Sequence, residues 1–180
     1  MSHNPLDLAG PASIAGPMKT QPLPQDYRLT TTQIGAIGES VVATGLMVAS
    51  GGRLAPFKPV ADDDGIDLLL FDKLTGKAIP LQVKSRTGFD DAAAETVQFD
   101  VRRSTFAGRG YAIMALIDGT TIQTLWLIHG NRLADVATRK AGKFVVVASA
   151  KAGSKDRYRE FRHDGLRSVV QEILRHVSAA

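Results

Sequence analysis

The chain reads as an α/β or α+β domain, with a mixed central β-sheet flanked by helices. Two amphipathic helical stretches stand near the two ends of the chain, and several short apolar runs with turn residues between them fill the middle. With 180 residues, 44% hydrophobic and 22% charged, the chain is long enough to bury a core without disulfides or a structural metal.

Taken in order, the first 29 or so residues hold five of the eight prolines (Pro5, Pro11, Pro17, Pro22 and Pro24) and show no sustained apolar periodicity. They read as a flexible or extended Pro-rich arm, with a single domain following over residues 30–180. Thr30, Thr31 or Thr32 is suited to cap a helix running to about Ala49. Its apolar positions Ile34, Ile37, Val41, Val42, Leu46 and Val48 approximate one face, and Gly51-Gly52 ends it. Arg53 to Pro59 reads as a short extended piece, and Asp62-Asp63-Asp64-Gly65 as a turn.

Ile66–Phe71 and Ile79–Ser85 read as strands, with a hairpin-loop composition over Asp72–Lys77 between them. Thr96–Val101 is a further strand or extended segment, and a short helix within Phe99–Gly108 is the competing reading. Tyr111–Ile117 and Gln123–Ile128 form a strand pair around Asp118-Gly119-Thr120. A short helix is expected over Asn131–Arg139, capped by Asn131, then a strand over Phe144–Ala148. Asp164 is expected to cap an amphipathic last helix reaching about Val177.

Cysteine is absent, which excludes a disulfide framework, thiolate zinc sites and a cysteine nucleophile. The longest apolar run, Ala112–Ile117, is far too short to span a bilayer, and no secretory pattern opens the chain. A cytoplasmic protein with no membrane partner is the expectation. The phosphate-cradling pattern Gly-x-x-x-x-Gly-Lys-Ser/Thr is also missing.

Net charge is +4, unevenly spread: from Arg139 onward ten Lys+Arg face four Asp+Glu, giving +6 there and +4 − 6 = −2 for the rest. Such asymmetry fits contact with a polyanion, nucleic acid being the commonest, or a solvated basic surface. Arg157 and Arg159, placed in alternation on a strand, would present both guanidinium groups to phosphate. Ser85 and Arg86 are further candidates for phosphate contact, or ordinary strand-end surface.

The chemically informative segment is Gly65-Ile66-Asp67 followed by Pro80-Leu81-Gln82-Val83-Lys84-Ser85. Gln82 and Lys84 are two apart on one strand and so share a face. Pairing with the preceding strand brings Asp67 to the same face. A carboxylate, an amide oxygen and an ammonium are poor packing material unless they serve one another or a ligand. The Asp67 and Gln82 oxygens, with the backbone carbonyl of Val83, are hard ligands suited to Mg2+ or Mn2+. A cation there neutralises charge on a scissile phosphate, and Lys84 orients the attacking water.

This constellation resembles the PD-(D/E)XK, or restriction-endonuclease-like, nuclease superfamily, near its junction resolvases and some small bacterial domains. Asp67 matches the first Asp of the motif, and Gln82-Val83-Lys84 matches the acidic-x-Lys. Glu39, beside Gly38 in the first helix, looks like the helical Glu that many members carry. The resemblance covers Ile34–Ser85 and extends to the strand pair Tyr111–Ile128. It implies a restriction-endonuclease-like core, a metal-dependent endonuclease activity on DNA, and Glu39, Asp67, Gln82 and Lys84 as the site, with Glu39 ligating directly or through water. The oligomeric state stays open, a homodimer being one option, since the fold class often works as a dimer and cutting two strands takes two sites.

The chain departs from the pattern at Ile66, where Pro is common, and at Gln82, where an acid is usual. Gln82 adds no negative charge, which lowers the expected metal affinity. A catalytically inactive nuclease-fold module that binds nucleic acid or a protein partner is therefore the alternative. Asp64 is a candidate to assist a second metal. His129 and His163 are expected to be structural or surface residues, and Trp126 a core residue.

Overall fold

The computed structural model describes residues 29–61, 65–87, 96–102 and 110–179. The proline-rich arm as far as residue 28, the acidic turn 62–64 and the segment 103–109 lie outside the described residues.

Helix α1 (Thr31–Ala49) starts with a capping box: Thr30 Oγ1 accepts from the Gln33 N–H and Gln33 Oε1 accepts from the Thr30 N–H. Gly51 and Gly52 both take positive φ and turn the chain into β1 (Leu54–Phe57). Strand β2 (Leu68–Asp72) and strand β3 (Ala78–Thr87) form an antiparallel hairpin. Strand β4 (Thr96–Arg102) leaves the sheet, and β5 (Tyr111–Asp118) returns to lie parallel to β3. Strand β6 (Thr121–His129) follows β5 through a two-residue turn, Gly119-Thr120.

Helix α2 spans Gly130–Val136 and is capped by His129, whose ring nitrogen accepts from the Asn131 N–H. The expected cap at Asn131 and the helical reading as far as Arg139 are thus corrected. The chain instead turns extended at Ala137 and makes β7 (Thr138–Lys140), which pairs with β8 (Lys143–Ser149). The expectation of a strand carrying Arg157 and Arg159 is also corrected. Asp156 accepts the Tyr158 N–H and forces a turn, and Arg159–Phe161 is a 3-10 turn. Only the two-residue β9 (Arg162–His163) follows before α3 (Leu166–Ala179).

Two sheets result: six strands in the order β1-β2-β3-β5-β6-β9, and three in the order β4-β8-β7. One face of the larger sheet, through Leu68, Leu70, Leu81, Val83 and Ile113, packs against Val42 and Leu46 of α1 and Val169 and Ile173 of α3. The other face, through Ala112, Met114, Trp126 and Ile128, packs against Val97, Phe99, Val101, Val146 and Ala148 of the smaller sheet. Trp126 is fully buried, as expected, with its ring 5.9 Å from that of Phe99. Among the described residues, α1 is the one helix long and apolar enough by composition to cross a membrane. It escapes a search for apolar runs because Gly, Ser and Thr punctuate it. In this fold its Gly38, Val42 and Leu46 stripe is buried against the sheet.

Candidate metal centre

The β2–β3 hairpin sets the site. Leu68 pairs with Leu81, so the preceding residue, Asp67, falls beside Gln82. Asp67 lies just outside the ladder, yet its N–H still donates to the Leu81 carbonyl at 2.9 Å. Gly65, at φ 68°, swings the chain into this position. The Asp67 side chain is 8% exposed, and its Oδ2 accepts from the Val83 N–H at 2.6 Å. Lys84 Nζ stands 3.9 Å from the same oxygen.

Gln82 and Lys84 point to the face that carries Ala112 and Met114, with which they are in register across β5. Gln82 is 1% exposed, and its Oε1 has no hydrogen-bond partner among the described residues. A buried amide oxygen without a partner is unfavourable by about 1–3 kcal/mol, and a cation would supply one. Within a strand, the N–H and C=O of one residue point to the same edge. The Val83 N–H reaches Asp67, so the Val83 carbonyl is directed toward that edge too, where β2 begins only at Leu68. Asp67 is thus tied to Val83, with Gln82 and Lys84 on either side of Val83 along β3, and the oxygens these residues carry are of the hard type that suits a divalent cation.

Glu39 is placed differently. It follows Gly38 on α1, and its Oε2 is 3.0 Å from Lys58 Nζ. The β1–β2 register pairs Phe57 with Leu69, so one step further Lys58 comes beside Leu68, next to Asp67. The ion pair thus holds Glu39 toward the same end of the sheet while occupying its carboxylate. Among the described residues, no group of three or more His, Cys, Asp or Glu side chains could hold a metal ion.

Ser85 faces α1 and donates to the Ile34 carbonyl at 3.1 Å, which gives it a packing role. Arg86 is exposed, shares the face of Lys84, and donates from Nε to the Gln98 carbonyl of β4 at 3.2 Å. Arg157 donates to Thr138 Oγ1 at 3.0 Å and lies over the Tyr158 ring. Arg159 sits on a different concavity, with Ser149, Asp156 and Arg162. His129 and His163 have structural partners, Asn131 and Ser168 respectively.

Sequence reasoning missed the Arg53–Asp72 pair. Arg53 Nε and Nη2 each donate to Asp72 at 2.8 Å, and Asp72 is fully buried. The hydrogen bond from Arg53 is the largest influence holding the Asp72 carboxyl well below the usual range, and Thr75 and the Leu74 N–H add to it. Also unforeseen was a half-polar cavity of about 470 Å³ in which the Tyr111 hydroxyl and His176 Nδ1 share a hydrogen bond of 2.6 Å. Burial pushes the Tyr111 hydroxyl up to about 12.

No protein-family model and no curated protein matches the sequence. Among solved structures, the bacterial homing endonuclease I-Ssp6803I aligns with a TM-score of 0.55 at 16% identity, covering 84% of this chain and 99% of its own. The chain has a restriction-endonuclease-like fold. A Holliday junction resolvase, Hjc of Archaeoglobus fulgidus, aligns at a TM-score of 0.41 and 10% identity, over 69% of this chain and 95% of its own. At these identities the likeness concerns the fold alone. Within that fold, Asp67, Gln82 and Lys84 lie at the start of the β2–β3 ladder, with Gln82 and Lys84 on the face of β3 that carries Ala112 and Met114.

Proposed function

We propose that this chain is a metal-dependent nuclease that hydrolyses phosphodiester bonds in DNA, with residues 30–180 as its catalytic domain. The observation that carries the reading is the pairing of Asp67, fixed by the Val83 N–H, with the buried and unpartnered Oε1 of Gln82. The nuclease fold supports it.

Asp67, Gln82 and the Val83 carbonyl would hold Mg2+ or Mn2+. Bound there, the cation supplies charge neutralisation at the scissile phosphate and a lowered pKa for a water. The protein's own groups do the rest. The Val83 N–H fixes the orientation of the Asp67 carboxylate, so no reorganisation is needed during reaction. Lys84, 3.9 Å from Asp67 and one-third exposed, places a positive charge where a water and a phosphate oxygen can both reach it. Glu39, held beside Lys58, would ligate the cation directly or through water on release of that ion pair.

The test is cleavage of duplex, junction and single-stranded DNA with Mg2+ or Mn2+ by wild type, Asp67→Ala and Lys84→Ala. Cleavage by wild type and its loss in both variants is expected. Undiminished cleavage in both variants would remove this site from the mechanism. Gln82 in place of an acid favours a second reading, a nuclease-fold module that binds DNA without cutting it. Salt-dependent DNA binding with no cleavage under either metal would select it.

A further inference from the structure

The smaller sheet covers the core with one face and leaves the other to solvent. On the outer face, Arg102 of β4 stands directly opposite Lys143 of β8, and Lys143 directly opposite Lys140 of β7. All three are exposed. Adjacent strands lie about 4.8 Å apart, so three cations form a row across the sheet with a single strand spacing between neighbours. Like charges directly opposite one another destabilise a sheet, and two such pairs stand side by side here.

Among the described residues, the row has one counter-charge on this face. Asp100 lies 3.2 Å from Lys143 and accepts a hydrogen bond from Gln98. The Gln98 amide first, then Lys143 and Arg86, hold the Asp100 carboxyl below its ordinary value. Arg86 reaches the edge of β4 through the Gln98 carbonyl, 3.2 Å from its Nε, and it sits two residues beyond Lys84 on the same face of β3. At the other end Arg157 reaches the face through Thr138 Oγ1. A basic path therefore leads from the candidate metal centre, by Arg86, to Arg102, Lys143, Lys140 and Arg157.

We propose that the outer face of β4-β8-β7 is a docking surface for the sugar-phosphate backbone of duplex DNA. Among the described residues of this face, Arg102, Lys143, Lys140 and Arg157 stand against the one carboxylate of Asp100, with Arg86 at the β4 edge and Val147 the one large exposed apolar side chain, which matches a phosphate array better than a protein partner. The assignment rests on the nuclease reading for the identity of the polyanion, while the charge row stands on the geometry alone. Phosphates between neighbouring cations would relieve the repulsion that the fold tolerates, and the path would lead the duplex toward Lys84.

The experiment measures anisotropy of a short fluorescent duplex across a salt series, in EDTA, for the full chain and two triple variants. The test variant is Arg102→Gln/Lys140→Gln/Lys143→Gln. The charge-matched control is Lys73→Gln/Arg167→Gln/Arg175→Gln, away from this face. Circular dichroism confirms that each remains folded. Each neutralised phosphate contributes about −0.9 to the slope of log affinity against log salt. The test variant is expected to flatten the slope by about 2.7 and weaken low-salt binding at least tenfold, with the control close to wild type. Equal losses in the two variants, or none in the test variant, would overturn the surface. Tighter capture of polyglutamate than of duplex would overturn DNA as its occupant in favour of an acidic protein. Cleavage assays on the same proteins separate the two proposals: cleavage by wild type with unaltered binding by the test variant refutes this surface and leaves the nuclease reading standing. Binding as expected without cleavage does the reverse.

Discussion

The Asp67 carboxylate accepts the backbone N–H of Val83 at 2.6 Å, which ties the start of β2 to the middle of β3 through a side chain. The bond gives Asp67 two separable roles. Asp67→Asn keeps an oxygen able to accept the Val83 N–H but lacks the charge. It should melt close to wild type while its Mn2+ affinity, read by calorimetric titration, falls on the order of a hundredfold or more, since even outer partners of a metal ligand are worth 10–100-fold. Asp67→Ala leaves the Val83 N–H without its acceptor and should lose about 1–3 kcal/mol of stability besides. Equal Mn2+ affinity in wild type and Asp67→Asn would exclude Asp67 as a ligand.

Gly38 of α1 lies against Ser85 of β3 so closely that a β-carbon on the glycine would overlap the serine side chain. This contact sets the height of α1 over the sheet and hence the position of Glu39. Alanine is the better helix former by about 1 kcal/mol, yet Gly38→Ala should destabilise by about 1–3 kcal/mol through overpacking. Pairing it with Ser85→Gly should recover part of that loss. Chemical denaturation of the two single variants and the double variant provides the check, and additive losses would refute the contact.

The β7–β8 hairpin turns through Ala141-Gly142, both at positive φ, 43° and 79°. This backbone suits Asn-Gly, and a left-handed alanine costs about 1–2 kcal/mol. Ala141→Asn or Ala141→Gly should therefore raise stability by about 0.5–1 kcal/mol, after allowance for the added freedom of glycine in the unfolded chain. A lower thermal midpoint for both variants would show that the turn has a different backbone.

Asp72 links pH to stability. Its carboxyl is depressed in the fold, so its contribution is fully present above the ordinary value of 3.8 and is lost as pH falls toward the folded value. Asp72→Asn should lower the thermal midpoint by several degrees at neutral pH, and the gap from wild type should narrow below about pH 4. Asp100 and Asp156 are also lowered and remain in the variant, so some acid sensitivity persists. A gap that is constant down to pH 2 would contradict the role given to the Arg53 pair.

Much of the architecture is legible along the chain because its signals are local. Thr30 and Gln33 mark the start of α1, Gly51-Gly52 its end, and Asp118-Gly119-Thr120 the hairpin between β5 and β6. Where the local signal is weak, reading along the chain fails. Leu133 and Val136 look helical onward to Arg139, and nothing in Ala141-Gly142 announces a hairpin, since alanine is a poor turn residue. Alternating Arg157 and Arg159 resemble a strand face only until Asp156, seven residues from its partner Ser149, claims the backbone of Tyr158.

The sequence by itself determined the strand pair that joins Asp67 to Gln82 and Lys84, because alternation along β3 and a short hairpin loop leave one register that buries Leu81 and Val83. Tertiary structure alone decided three other matters. Lys58 takes the Glu39 carboxylate, Arg53 takes Asp72 into the core, and Arg102, Lys143 and Lys140 come into one row from strands up to 41 residues apart. Each depends on which helices and strands become neighbours in the fold. Charge pairing over such distances leaves no periodic trace in the chain, whereas the burial of alternate apolar residues does.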